Sequence, residues 1–210
     1  MPFGALRPAE CFNALARWLI AGLARAEPNN RILAGILIVY WAVWTAYAVI
    51  AKSSQGLHAD TSEVALWAID LQWGTIKHPP FLPALVRMWL SVFSMSDWAF
   101  YLLAVGLSTV GIYFSWLASG FLLRGPKRAA VPFLLMLIPF YNFHTLWLNH
   151  NVVLIPLWAI TTYTFFRAYK SNNIWWSILT DPRASACSPS TGRSSVAGSG
   201  RGRAVRQAAL

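Results

Sequence analysis

A run of twenty residues without a charged side chain, residues 32–51 (ILAGILIVYWAVWTAYAVIA), constrains this chain more than any other feature. About 20 apolar residues in a helix are enough to cross the hydrocarbon core of a bilayer. The rest of the chain agrees, because 57% of its 210 residues are hydrophobic and only 11% are charged, against about 25% in soluble domains. We therefore predict an all-α integral membrane protein.

Four spans are predicted from the apolar runs. They are residues 32–51, 98–123, 129–148 and 150–167. The last reaches spanning length if Asn149–Asn151 lie at the membrane interface. Residues 81–95 are too short and carry Arg87, so we expect them to be interfacial or re-entrant. Residues 52–97 then form one long loop.

Basic residues orient these spans, because Lys and Arg accumulate in cytoplasmic loops. With four spans, one side of the membrane receives Arg7, Arg17, Arg25, Arg31, Arg124, Lys127, Arg128, Arg167 and Lys170. The loop 52–97 holds four of the seven acidic residues. The predicted N-terminus, residues 1–30, is therefore cytoplasmic, and its residues 11–26 form a basic amphipathic helix on the membrane surface.

The net charge of +10 could also indicate a nucleic-acid partner. The basic residues lie at the ends of apolar runs and in the C-terminal tail, so we expect contact with membrane lipids and no nucleic acid. Cys11 and Cys187 lie far apart and predict no disulfide framework, metal site or redox motif.

The outer loop contains a predicted helix, residues 60–73 (DTSEVALWAIDLQW). At 100° per residue, Asp60, Glu63, Trp67 and Asp70 share one face, and apolar side chains lie opposite. Such a helix would lie flat on the membrane with its acidic face toward a polar cavity. Asp60 could be the N-cap and Glu63 its capping-box partner, and this role is compatible with a catalytic one.

The stretch GTIKHPPFLP, residues 74–83, places two prolines beside a basic pair. Pro79 and Pro80 predict the boundary between two helices. Lys77 is open to two interpretations, a lysine snorkelling to the interface or a substrate-binding group. His78 likewise either caps a helix or binds substrate.

With these motifs the chain resembles family 39 glycosyltransferases, multi-spanning enzymes of the protein-mannosyltransferase and aminoarabinose-transferase type. The resemblance covers about residues 30–180 and is nearest to bacterial lipopolysaccharide galacturonosyltransferases. It rests on Asp60, Glu63, Trp67, Trp73, Gly74, Lys77, His78, Pro79 and Pro80, and on NHNVVLIPLWAITTYTFFRA at 149–168.

The resemblance implies a GT-C type bundle in the bacterial inner membrane and transfer of a sugar from a polyprenyl-phosphate donor to a glycan or lipid acceptor, with inversion. It implies that Asp60 is the catalytic base, because the acceptor hydroxyl must lose a proton as it attacks. Glu63, Lys77 and His78 are the expected substrate-binding residues.

Two positions depart from the family pattern. Thr61 stands where many relatives have a second acidic residue, for which Glu63 could substitute. Asn149–Asn151 stand where many relatives have an Asp, and we interpret them as polar groups at a helix end. The sequence thus contains no metal-ligand cluster, and a divalent cation stays an open alternative.

A non-enzymatic role, as a transporter subunit or assembly factor, is the alternative function. Transporters place ionisable side chains within their spans. Apart from Arg167 at the end of the last one, the predicted spans contain no Asp, Glu, Lys or Arg, whereas acidic side chains gather in the loop. This distribution favours chemistry at the membrane surface.

The composition changes abruptly after Thr180. Residues 181–210 contain none of the 31 Trp, Tyr and Phe residues, and half of them are Ser, Gly or Arg. One interpretation is a disordered basic tail. The other is a frameshift, because codons can be chosen whose shifted frame encodes an apolar segment, as in relatives. On that hypothesis the chain is an inactive N-terminal fragment.

Overall fold

The computed structural model of the protein describes residues 8–24, 30–71 and 79–171, and all regular structure in these ranges is helical. The elements are α1 (Pro8–Ala24), α2 (Arg31–Ala51), α3 (Ala59–Ile69), α4 (Phe81–Leu90), α5 (Asp97–Ser119), α6 (Pro126–Leu137), α7 (Pro139–Asn142), a 3₁₀ turn (His144–Leu146) and α8 (His150–Ser171). The predicted fold class, an all-α membrane bundle, is confirmed. The tail, residues 181–210, lies outside the described residues.

Three helices in these ranges, α2, α5 and α8, are long and apolar enough to cross a membrane. A fourth crossing exists if α6 and the α7–3₁₀ segment are taken as one span. The ten-residue α4 is about 15 Å long at 1.5 Å per residue. It is too short to span, as expected for residues 81–95.

The central helix is α5, which packs against α8, α2 and α6. Gly111 lies at the contact with α8, where a Cβ atom would overlap the side chain of Ile155 and stand 3.4 Å from its backbone carbonyl carbon. Small residues let membrane helices approach closely and gain dispersion energy. The glycine therefore sets the distance between α5 and α8.

The segment predicted as a continuous span over 129–148 is bent by 67°. The break falls at Ile138 and Pro139, where α6 ends and α7 begins. Pro139 disfavours the α conformation in the residue before it, and Ile138 is extended, with φ −75° and ψ 122°, so α6 ends there. The sequence prediction overlooked this residue because it weighed hydropathy alone.

Side chains from three elements satisfy backbone groups around this bend. Asn142 donates its amide to the carbonyl of Met136 at 2.6 Å, and Ser108 of α5 donates to the carbonyl of Tyr141 at 2.8 Å. The Tyr40 hydroxyl of α2 lies 2.8 Å from that carbonyl and 2.7 Å from Oδ1 of Asn142. A broken helix is tolerated in a bilayer when its neighbours supply such partners.

At the end of the bundle where α6 begins, α1 packs against α6. The helix α1 covers residues 11–24 of the segment predicted at 11–26, with Leu23 buried and Arg17 exposed. Arg128, at the start of α6, is also buried, with its guanidinium 4.0 Å above the ring of Trp116. A residue counted as a loop charge is thus part of the packing at this end.

Candidate active site

The helix that carries Asp60 is capped by a different residue from the one predicted. The first residue of α3 is Ala59, and His58 precedes it in an extended conformation, with φ −61° and ψ 148°. Nδ1 of His58 accepts the amide N–H of Asp60 at 3.3 Å. The interpretation of Asp60 as N-cap, with Glu63 completing a capping box, is therefore wrong. Asp60 lies in the first turn, where a carboxylate is stabilised by the helix dipole.

The helix α3 has a third face in addition to the acidic and apolar faces that the sequence predicts. Its buried residues form a third face of small side chains, Thr61, Val64, Ala65 and Ala68. This face packs against α4, and Val64 shares a hydrophobic cluster with Leu82 and Val86. Leu66 and Ile69 are 66% and 61% exposed within the chain, as suits side chains that face lipid. Asp60 and Glu63 stay on an accessible face.

Asn149 links Asp60 to the start of α8. Its Nδ2 donates to Oδ2 of Asp60 at 3.2 Å. Its Oδ1 accepts the amides of Asn151 at 3.1 Å and of Val152 at 3.3 Å, which is the pattern of an N-cap. The prediction that Asn149 is a helix-end group is confirmed. Because capping fixes Oδ1, it also points the amide nitrogen at Asp60.

Stacked rings lie next to this carboxylate. The rings of His58 and Trp147 are 4.6 Å apart and inclined by only 11°. Nδ1 of His58 lies 3.8 Å from Oδ2 of Asp60. Nδ1 thus faces both the amide N–H and the carboxylate of Asp60, and His58 holds the first turn of α3 against Trp147.

His58 also lines a cavity of about 290 Å³. Its lining residues are Lys52, Gln55, Gly56, Leu57, His58, Ala59, Tyr101, Leu146 and Trp147. His58 is thus both a lining residue of the cavity and a neighbour of the Asp60 carboxylate, 3.8 Å from Nδ1 to Oδ2. The ends of α2, α3 and α5 and the turn before α8 all meet here, at one end of the bundle.

The structure accounts for some of the predicted site residues and leaves others untested. Asp60 and Glu63 lie on α3, whereas Lys77 and His78 lie outside the described residues. Pro80 is the N-cap residue of α4, so the double proline does mark a helix boundary. Across the described ranges, no three His, Cys, Asp or Glu side chains come together in a way that could hold a metal ion.

Sequence reasoning missed His58 and Trp147 as neighbours of Asp60, and it missed the second role of Asn149. His58 was visible as the residue two before Asp60, where a side-chain acceptor can cap a helix. Trp147 and Asn149 gave only a weak signal, a polar cluster at the end of an apolar run.

Comparison with known proteins gives one result. No curated protein and no solved structure matches the chain. Residues 77–181 match the family described as dolichyl-phosphate-mannose-protein mannosyltransferase, and this range is half of the 210 residues. It includes Lys77, His78 and Asn149 and begins after Asp60. With this match over half of its length, the chain belongs to the dolichyl-phosphate-mannose-protein mannosyltransferase family.

Proposed function

We propose that the protein transfers a sugar, with inversion, from a polyprenyl phosphate to an acceptor hydroxyl at the outer face of the bacterial inner membrane. Membership of the family and an all-α bundle of the GT-C type support glycosyl transfer from a lipid-linked donor. The observation that carries the site is the Asp60 carboxylate, held by Asn149 at the end of the bundle.

Asp60 is suited to act as the base because only one of its oxygens is engaged. Within the part of the chain that the structure describes, Oδ2 accepts from Asn149 and Oδ1 accepts no hydrogen bond. The side chain is 46% exposed, so an acceptor hydroxyl can reach it. A base must come within about 3 Å of the oxygen whose proton it removes, and Oδ1 has lone pairs available for this.

The proposed reaction needs one carboxylate. The acceptor oxygen attacks the anomeric carbon and forms the new glycosidic bond, while its proton passes to Asp60. The bond from the anomeric carbon to the phosphate oxygen breaks, and its electron pair leaves with the polyprenyl phosphate. That leaving group is already a stable anion, so no general acid is required. Attack opposite the leaving group inverts the configuration of the anomeric carbon. The reaction differs in this need for a single carboxylate from glycosidases, which use two.

Three further residues complete the proposed site. Lys77 and His78 would donate to the phosphate of the donor, and both lie inside the range that matches the family. Glu63, one turn after Asp60 on the accessible face of α3, would bind the sugar or the acceptor. The acceptor would be a cell-envelope glycan or lipopolysaccharide.

The change of composition after Thr180 belongs to this proposal. The family match ends at residue 181, five residues after the last aromatic residue, Trp176. This coincidence supports a frameshift in the gene. We expect the 210-residue chain as written to be inactive, and we call the version whose original frame is restored after Thr180 the frame-restored chain.

The test compares Asp60→Asn with Asp97→Asn in the frame-restored chain, assayed with a radiolabelled polyprenyl-phosphate sugar. Asp97 is a matched control, since it is also an acidic residue in the first turn of a helix. Asp60→Asn should lower the transfer rate by about 10²–10⁴-fold, whereas Asp97→Asn should leave it unchanged. The cap of α3 is His58, so Asp60→Asn leaves the helix start intact.

Two results would contradict the proposal. Wild-type transfer by Asp60→Asn would show that Asp60 is not the base. Efficient transfer by the 210-residue chain itself, in cells that lack a related enzyme, would refute the frameshift while leaving the role of Asp60 to the first comparison.

A further inference from the structure

The cavity beside His58 has the lining that a single sugar ring requires. Lys52, Gln55 and Tyr101 are residues with polar groups in its lining, and Leu146 and Trp147 are apolar ones. Its volume of about 290 Å³ is at the small end of ligand pockets. It therefore fits one monosaccharide unit better than a lipid chain.

The backbone at the rim leaves room for a ligand. Gly56 has φ +63°, a conformation that side chains other than glycine rarely adopt, and a Cβ atom placed there would meet no atom within 4 Å. The loop from Lys52 to His58 thus turns sharply without filling the cavity. A ligand can approach this backbone closely.

Lys52 gives the cavity a positive charge. Its Nζ donates to Oε1 of Gln55 at 2.9 Å, and this partner is neutral. No carboxylate of the described ranges lies within 4.0 Å of Nζ. A lysine at the end of a span can simply snorkel to the interface, but Lys52 lines an open cavity together with other hydrogen-bonding side chains.

We infer that this cavity is the acceptor subsite and that it takes a sugar with a negatively charged substituent, bound by Lys52. The inference rests on the proposed transfer reaction. The cavity and the carboxylate of Asp60 meet at His58, so a sugar in the cavity can turn a hydroxyl toward the base. In the proposed function, Lys77 and His78 bind the donor phosphate. Lys52 is then available to bind a negatively charged group of the acceptor.

Trp147 provides a readout of occupancy that does not depend on catalysis. The full 210-residue chain is labelled with 5-fluorotryptophan in detergent micelles, and its Trp147 signal is assigned by comparison with Trp147→Phe. Fluorine NMR titrations use methyl glucuronide, methyl glucoside, glucose 1-phosphate and inorganic phosphate. The first two share a pyranose ring and differ in the charged group.

Methyl glucuronide should shift the Trp147 signal saturably and bind at least about tenfold more tightly than methyl glucoside, because a hydrogen bond to an ion is involved. Lys52→Met should remove that difference, and Lys52→Arg should retain most of it. Lys127→Met, a basic residue of α6 at the opposite end, is the control and should change nothing.

Equal binding of the two glycosides, or an unchanged preference in Lys52→Met, would overturn the inference. Tighter binding of glucose 1-phosphate or of inorganic phosphate than of the glucuronide would assign the cavity to the donor head group or to a simple anion, and would also overturn it. No binding of the glucuronide, together with Asp60-dependent transfer by the frame-restored chain, would refute this inference alone. Binding of the glucuronide, together with transfer by the frame-restored chain that does not depend on Asp60, would refute the proposed function alone.

Discussion

The amide of Asn149 donates to the carboxylate of Asp60 at 3.2 Å, across 89 positions of the chain. Asn149 can do so because its own oxygen is fixed by the first amides of α8. The position of Asp60 therefore depends on the contact between α5 and α8, which places the start of α8 beside α3. A candidate catalytic group on a short surface helix is in this way anchored to the bundle.

A double-mutant cycle tests this link. Asn149→Ser keeps a capping oxygen for α8 but loses the amide donor, and Asp60→Ala removes the acceptor. The two changes should couple by about 0.5–1.5 kcal/mol in the free energy of unfolding, as expected for a partly exposed hydrogen bond. The measurement is denaturation of the purified chain in detergent micelles, followed by circular dichroism. Additive effects of the two substitutions would mean that the hydrogen bond does not contribute.

The close approach of α5 and α8 predicts the effect of enlarging Gly111. Gly111→Ala should lower the free energy of unfolding by about 1–3 kcal/mol, because the new methyl group overlaps Ile155. Gly35 of α2 is the matched control, since nothing lies within 4 Å of its Cβ position. Gly35→Ala should be neutral or stabilising, because alanine favours a helix over glycine.

Shortening the side chain of Ile155 should offset the loss of stability in Gly111→Ala, because the methyl group that overlaps the new Cβ atom is then gone. Ile155→Ala should therefore lower the free energy of unfolding less in the Gly111→Ala background than in the wild type. The readout is the same unfolding measurement. If Gly111→Ala is as harmless as Gly35→Ala, the glycine does not set the spacing of the two helices.

The bend at Pro139 predicts non-additive losses in its supporting hydrogen bonds. Tyr40→Phe should cost about 1 kcal/mol, since Ser108 still donates to the Tyr141 carbonyl. Tyr40→Phe with Ser108→Ala should cost more than the sum of the single changes, because that carbonyl then loses both donors. Tyr47→Phe is the control for the same chemical change at a residue that is 44% exposed. A strictly additive double variant would show that the two donors act independently.

The orientation predicted from the basic residues can be measured by cysteine labelling. Cys11 and Cys187 are first replaced by serine, and a single cysteine is then placed at Ser54 or at Leu122, which is 70% exposed. An impermeant thiol reagent should label Ser54→Cys in intact cells and Leu122→Cys only after permeabilisation. Labelling of Leu122→Cys from outside in intact cells would reverse the orientation.

The sequence by itself determined the features that depend on neighbouring residues. Apolar length predicted a membrane bundle, and the helices α2, α5 and α8 follow the predicted spans. Two consecutive prolines predicted the start of α4, because a proline restricts its own backbone and that of the residue before it. Asn149 was assigned to a helix end for a similarly local reason.

Tertiary structure decided which polar groups meet. His58 rather than Asp60 caps α3. Its ring stacks on Trp147, which lies in the turn before α8, and its Nδ1 accepts the N–H of Asp60. The partner of Asp60 could not be predicted, since a hydrogen bond across 89 positions exists only after α5 and α8 pack. Local rules select helices, but the geometry of a site depends on how those helices are held together.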